Sequence, residues 1–153
     1  MSHEQLLSDA RLRITADIDD GRYFVSLDER LVGLPLARFT ALLELVRCRL
    51  TRSKGYAALR DFDVGGDKQL LHQTIRRTRR DFDDAIGANT GMALIRHKGA
   101  STYRLAVEPD QIEISRDLME LAPDHISDVL ARALLEPVSE CQQQASALSS
   151  VAE

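Results

Sequence analysis

The sequence predicts an α+β fold in which an N-terminal antiparallel sheet precedes three helices and a C-terminal β-hairpin. Three observations carry this prediction. Apolar and polar residues alternate along residues 12–18, as in a half-buried strand. Apolar residues then recur at helical spacing along residues 35–50 and 68–86. Finally, two short runs of strand-forming residues flank the small residues 99–101, which is typical of a hairpin.

Three short runs of strand-forming residues open the chain, at residues 12–18, 22–27 and 31–34. The turn Asp19-Asp20-Gly21 separates the first two, because Asp and Gly tolerate the backbone of a tight turn. Pro35 follows the third run and suits the first turn of a helix, where its missing N–H costs nothing. We therefore predict the first helix over residues 35–50.

Residues 57–62 are predicted to form a shorter second helix, which the glycines of Val64-Gly65-Gly66 would end. Asp67 is a candidate N-cap for a third helix over residues 68–86, because its carboxylate can accept from a backbone N–H of the first turn. A loop over residues 87–91 then leads to the hairpin.

The predicted helix over residues 68–86 has two faces of opposite chemistry. One stripe, which suits packing against a core, contains Leu71, Ile75, Thr78, Phe82 and Ile86. The opposite face carries amides and guanidinium groups, at Gln69, Gln73, Arg76, Arg77 and Arg80. Guanidinium groups pair with phosphate or guanine and amides pair with adenine, so this face suits a reader of the DNA major groove. The alternative is a solvated basic face on an ordinary helix.

The hairpin is predicted over residues 94–106 and is also basic. It carries Arg96, Lys98 and Arg104, and no acidic residue lies between residues 92 and 107. These three cations suit contact with phosphates, although Arg104 has the alternative of packing beside Tyr103. Tyr103 itself is expected to be a core residue.

An acidic helical extension is predicted over residues 109–136, and a further short strand is predicted near its start, at residues 111–114. Its apolar stripe at 126–134 has two alternatives, which are pairing with a second copy of the chain or folding back onto the same domain. The Gln/Ser/Ala-rich residues 137–153 are expected to be a disordered tail. The first domain is accordingly placed at residues 12–108.

The net charge of −4 conceals a strong segregation of charge along the chain. Residues 1–108 hold 18 Lys/Arg against 15 Asp/Glu, a net of +3, whereas residues 109–153 hold 2 against 9, a net of −7. Within residues 47–80 ten basic and three acidic side chains give a net of +7. Because a local field can steer a polyanion, the overall acidity does not exclude nucleic acid as a partner.

Several other classes of protein are disfavoured. No apolar run approaches the roughly 20 residues needed to cross a bilayer, and the N-terminus lacks a secretory signal, so we expect a cytoplasmic protein without a membrane partner. Cys48 and Cys141 lie far apart, and Cys48 is interpreted as a small apolar residue. The four histidines lack ligand spacing, and no phosphate loop or nucleophile–base signature is present, so no metal, cofactor or enzyme is expected. The acids in residues 81–84 splay around the helix, where local ion pairing is expected.

Strands, three helices and a basic hairpin, in this order, are typical of a winged helix, whose third helix enters the major groove. Over about residues 12–107 the chain resembles the effector domain of OmpR/PhoB-type response regulators. Residues 34–45 (LPLARFTALLEL) resemble the start of the family's first helix, and residues 75–82 (IRRTRRDF) resemble its recognition helix. Residues 95–99 (IRHKG), followed by Tyr103-Arg104-Leu105, resemble its closing hairpin, or wing.

The chain also departs from this family. Arg38 stands where the family has glutamate, Thr78 where the recognition helix has leucine, and Thr102 at the position of a hairpin glycine. The region around residues 53–62 matches poorly and lacks the usual tryptophan. Eleven residues precede the first strand, so no receiver domain is expected in this chain.

Together the residues and the resemblance predict a sequence-specific, double-stranded DNA-binding transcriptional regulator. The helix over residues 68–86 would enter the major groove, and the hairpin would contact the flanking backbone. The predicted DNA-binding residues are Gln69, Gln73, Arg76, Arg77, Arg80, Arg96, Lys98 and Arg104. RNA polymerase, and a second copy of the chain through residues 116–135, are further candidate partners. The alternative is a winged helix used for protein contact, as an adaptor, which the acidic extension favours.

Overall fold

The computed structural model describes residues 9–99 and 101–118, and its N-terminal part is a β-sheet. The three predicted strands are present as β1 (Leu12–Asp19), β2 (Arg22–Leu27) and β3 (Arg30–Pro35), paired as an antiparallel meander. The predicted strand at residues 111–114 is also confirmed, as β6 (Ile112–Ile114). It pairs in parallel with β1, so the sheet order is β3-β2-β1-β6.

Both turns of the meander use left-handed backbone. Asp20 (φ 51°) and Gly21 (φ 73°) join β1 to β2, and Asp28 (φ 53°) and Glu29 (φ 72°) join β2 to β3. Two successive positive φ angles match the right-handed twist of the flanking strands, which is why such turns close tight hairpins. The turn predicted at residues 19–21 is confirmed.

The two long helices are present as predicted, as α1 (Leu36–Thr51) and α2 (Lys68–Ala85). A short helix, α3 (Thr90–Leu94), leads directly into the hairpin of β4 (Ile95–His97) and β5 (Tyr103–Leu105). The predicted start of the hairpin at residue 94 and the predicted end of the loop at residue 91 are therefore wrong, because residues 90–94 are helical. The N–H of Gly91 donates to an Asp83 carboxylate oxygen at 2.8 Å, which holds this segment as a helical turn against α2.

The predicted second helix at residues 57–62 is wrong as an α-helix, because only the 3-10 turn Leu59–Asp61 is helical there. The N–H and C=O of Ala57 both bond to Tyr103, at 2.8 and 2.9 Å, so Ala57 extends the hairpin sheet instead. The Asp61 carboxylate accepts from the N–H of Ala58 at 2.7 Å and closes the turn locally. Backbone groups committed in this way cannot contribute to an α-helix.

The core lies between the inner face of the sheet and the helices, with α1 at its centre. Leu12, Ile14, Val25 and Leu34 of the sheet are buried, and α1 contacts β2, β3, β5 and α2. Leu118, after β6, is also fully buried, so residues 109–118 pack with the same unit. The predicted stripe at 126–134, the helical extension beyond residue 118 and the tail lie outside the described residues.

Candidate nucleic-acid interface

Helix α2 is held against the core along the stripe that the sequence predicts. Leu71, Ile75, Thr78 and Phe82 are fully buried, and Ile86, just past the helix, packs against the same core. The Thr78 hydroxyl donates to the Thr74 carbonyl at 2.8 Å, so a polar side chain is satisfied inside the core. The predicted N-cap is confirmed, because the Asp67 carboxylate accepts from the Leu70 N–H at 3.1 Å.

The opposite face of α2 is exposed at every predicted position, namely Gln69, Gln73, Arg76, Arg77 and Arg80. Among the described residues, none of these three arginines takes part in an ion pair. Arginines elsewhere do, since Arg38, Arg47 and Arg52 each pair with a carboxylate. The exposed face therefore presents three guanidinium groups whose hydrogen-bonding capacity is open to a ligand.

Arg79 lies on the flank of α2 and plays a different part. Its guanidinium donates twice to the Ile95 carbonyl, at 3.0 and 2.5 Å, and lies 5.8 Å from the centre of the Tyr103 ring. Burial lowers the pKa of Arg79, and Tyr103 and Asp83 oppose that shift. Arg79 thus fastens the hairpin to α2.

Tyr103 is the centre of the packing between α2 and the hairpin. Its ring is buried and makes edge contacts with Phe62 and His72, at 6.5 and 6.2 Å between ring centres. Burial raises the pKa of Tyr103, and the positive charge of the nearby Arg79 offsets only part of that rise. The expectation that Tyr103 is a core residue is confirmed, and His72 lies at the packing boundary rather than on the open face.

A groove of about 770 Å³ separates α2 from the hairpin. Arg76 and Arg80 line it from α2, His97 and Gly99 line it from the hairpin, and Tyr103 lies among the lining residues. Asp84, which is exposed, adds negative charge to the lining. The groove is thus bordered by both cationic and acidic side chains of α2 on one side and by residues of the hairpin on the other.

The cations of the hairpin are arranged around an aromatic residue that sequence reasoning missed. Arg96 is exposed and is the direct cross-strand neighbour of Arg104. The Lys98 ammonium lies 5.2 Å and the Arg104 guanidinium 4.7 Å from the centre of the Tyr56 ring. Arg104 therefore packs on Tyr56, not on its neighbour Tyr103. Tyr56 lies in a loop and belongs to no periodic pattern, and its two cationic partners lie more than forty positions away in the chain. The sequence therefore carried no signal that would identify it.

The acids that follow the arginines in α2 have partners outside their own helix. Asp81 accepts from Arg38 of α1, at 2.8 and 2.9 Å, and Asp83 accepts from the backbone of Gly91. The expected local ion pairing is therefore wrong, because the helix turns these carboxylates toward neighbouring elements. Within residues 9–99 and 101–118 no group of His, Cys, Asp and Glu is arranged to hold a metal ion.

Cys48 is fully buried in α1. Burial raises the pKa of its thiol to about 11, so the thiolate is scarce at neutral pH. The interpretation of Cys48 as a small apolar residue is confirmed.

Comparison with family models, with curated proteins and with solved structures finds no match to this chain. In the described part of the chain, no helix combines the length and apolar character needed to cross a bilayer.

Proposed function

We propose that this chain is a sequence-specific, double-stranded DNA-binding transcriptional regulator of the winged-helix type. In this proposal α2 enters the major groove and the β4–β5 hairpin contacts the flanking backbone. The observation that carries it is the open face of α2, where three arginines and two glutamines are exposed and the arginines have no carboxylate partner in the described chain.

The chemistry of that face matches the edges of base pairs. An α-helix fits the major groove, where arginine pairs with guanine and glutamine with adenine through two hydrogen bonds each. Gln69 and Gln73 lie in the N-terminal half of α2, the part of a recognition helix that usually meets base edges. Because the opposite stripe of α2 is buried in the core, only this exposed face could contact base pairs in the major groove.

The second helix of a helix-turn-helix unit has no α-helical counterpart here, since residues 59–61 form a 3-10 turn. Contact with DNA therefore falls on α2 and on the hairpin that Arg79 and Tyr103 fasten to it. The two parts would move as one unit, and the hairpin cations would stay in register with α2.

A gel-shift assay with selection from random-sequence duplexes tests this proposal. The six predicted cations are Arg76, Arg77, Arg80, Arg96, Lys98 and Arg104. If each neutralises one phosphate, the logarithm of the binding constant should fall with the logarithm of salt concentration with a slope no steeper than about −5.4. Selection should also enrich a defined sequence. Failure to bind any duplex, or equal binding to all duplexes, would contradict sequence-specific recognition.

Single variants separate base contacts from backbone contacts. Replacing Gln73 or Arg76 by alanine should change the preferred bases, by about 1–3 kcal/mol per base pair. Lys98→Gln should weaken binding to all sequences and reduce the salt slope by about 1. Arg22→Gln is the matched control, because it removes an equally exposed charge from the N-terminal sheet. It should leave the preferred sequence unchanged.

A protein-contact module is the second candidate, because an apolar groove lies between α1 and α2. This groove of about 260 Å³ is lined by Leu36 and Leu70, which are 39% and 43% exposed. Retention on duplex DNA discriminates the two functions, if the full chain is compared with one ending at Leu118. The shorter chain ends at Leu118 because a chain that ended near Val107 would lack β6 and the buried Leu118, which pack with the folded unit. Retention of neither chain would favour protein contact, whereas retention of the shorter chain alone would indicate that residues 119–153 inhibit DNA binding.

A further inference from the structure

The ring of Tyr56 contacts two cationic side chains of the hairpin. Lys98, just after β4, and Arg104, within β5, both place their cationic groups against its ring, at 5.2 and 4.7 Å from the centre. Both distances lie within the range of about 6 Å over which a cation is attracted to an aromatic face. The two flexible side chains therefore converge on one platform.

The platform itself is held firmly by its backbone. The Tyr56 carbonyl accepts from the Arg52 guanidinium at 2.9 Å, and Arg52 is in turn paired with Asp61 at 2.6 Å. The next residue, Ala57, makes two backbone hydrogen bonds with Tyr103 of the hairpin. The backbone that carries the Tyr56 ring is thus tied both to the end of α1 and to the strand that carries Arg104.

Within residues 9–99 and 101–118, no carboxylate pairs with the two cations that meet on this ring. Neither Lys98 nor Arg104 forms an ion pair in the described part of the chain. The nearest acid in sequence, Glu108, is engaged by Arg49 at 3.0 Å. Arg104 also donates to the Lys54 carbonyl at 3.3 Å, which restrains its guanidinium further. Two like charges held together without a counter-charge form a site that an anion would stabilise.

We propose that Tyr56 is a positioning residue that holds Lys98 and Arg104 ready for one stretch of the DNA backbone. This inference rests on the proposed function and names the anion as backbone phosphate. A long side chain normally loses rotamer freedom when it binds, which lowers affinity by roughly 2- to 13-fold. Ordering two such side chains in the free protein removes that cost, so Tyr56 raises affinity without touching DNA.

The test compares Tyr56→Leu with Tyr56→Phe in the full chain. The dissociation constant for the selected duplex is measured by fluorescence anisotropy at one fixed salt concentration. Tyr56→Leu should weaken binding at least about five-fold, the lower bound for two side chains that must be ordered on binding. Tyr56→Phe retains the ring and should bind within about two-fold of the natural chain.

A double-variant background distinguishes positioning from a general loss of structure. In a chain that carries Lys98→Gln and Arg104→Gln, Tyr56→Leu should have no further effect on affinity, because the groups it positions are gone. If Tyr56→Leu lowered affinity equally in both backgrounds, or did not lower it in the natural background, the inference would be overturned. The proposed function would still stand if variants of α2 altered the preferred bases. Absence of DNA binding by the natural chain would overturn the proposed function and this inference with it.

Discussion

Gly91 lies where α3 packs closely against the backbone of α2, and replacing it by alanine should separate the two helices. A Cβ atom built at Gly91 would lie 2.5 Å from the Cα and 2.6 Å from the carbonyl carbon of Arg79. Non-bonded carbon atoms attract at about 3.5–4.0 Å, so α3 would have to retreat by about 1 Å. These neighbours are backbone atoms of a packed helix, so they cannot relieve the clash by changing rotamer as a side chain would.

The expected cost follows from two opposing effects. Overpacking of this kind costs about 1–3 kcal/mol. Alanine is the better helix former, which returns up to about 1 kcal/mol in the five-residue α3. The displacement also strains the 2.8 Å bond between the Gly91 N–H and Asp83. We therefore expect Gly91→Ala to lower the free energy of unfolding by about 1–2 kcal/mol.

Urea denaturation followed by circular dichroism measures this loss, and Met92→Ala is the matched control. Met92 is on the same short helix but is 51% exposed, so its replacement should change stability by no more than about 0.5 kcal/mol. Because α3 runs directly into β4, Gly91→Ala should also displace the hairpin and weaken the proposed DNA binding. A Gly91→Ala chain as stable as the natural one, or more stable, would refute the close packing of α3 on α2.

Two further predictions concern the ion pairs that hold the helices. Burial alone would raise the pKa of Asp61, but hydrogen bonds from Arg52 and Ala58 and the charge of Arg47 outweigh it and lower the pKa. A carboxylate with a lowered pKa stabilises the fold above its unfolded pKa, near 4, and this contribution is lost as the pH falls through the folded value. Urea midpoints from pH 7 to pH 2 should therefore decline more steeply in the natural chain than in Asp61→Asn, and parallel curves would contradict this. For Arg38 and Asp81, which are largely shielded from solvent, a double-mutant cycle to alanine should give a coupling free energy of about 1 kcal/mol. If the stability losses of the two single variants simply added, their ion pair would not contribute to stability.

Much of the fold follows from local pattern. Strand β1 alternates apolar and polar residues, and α2 repeats its apolar residues at the helical period, so the sequence of each element shows which face is buried. The same period identifies the exposed face of α2, because residues opposite a buried stripe must face away from the core. The five candidate positions on this helix were therefore predictable from the sequence.

Interactions between distant residues were not predictable in this way. Asp81 and Arg38 lie on different helices, forty-three positions apart, and no periodicity links them. Residues 57–62 have no strong pattern of their own, so the hydrogen bonds of Ala57 to the hairpin decided their conformation. Tyr56 acquired its place in the candidate site for the same reason.

The sequence by itself determined the faces of the long helices, the positions of the first strands and the segregation of charge, because each depends on residues that are neighbours along the chain. The tertiary structure alone decided which arginines are available. Arg79, one turn from Arg76, donates to the Ile95 carbonyl, whereas Arg76, Arg77 and Arg80 form no ion pair with any residue that the structure describes. That difference arises because a guanidinium group pairs with whatever acceptor the fold brings within about 3 Å, and only the packing of the hairpin against α2 places an acceptor there.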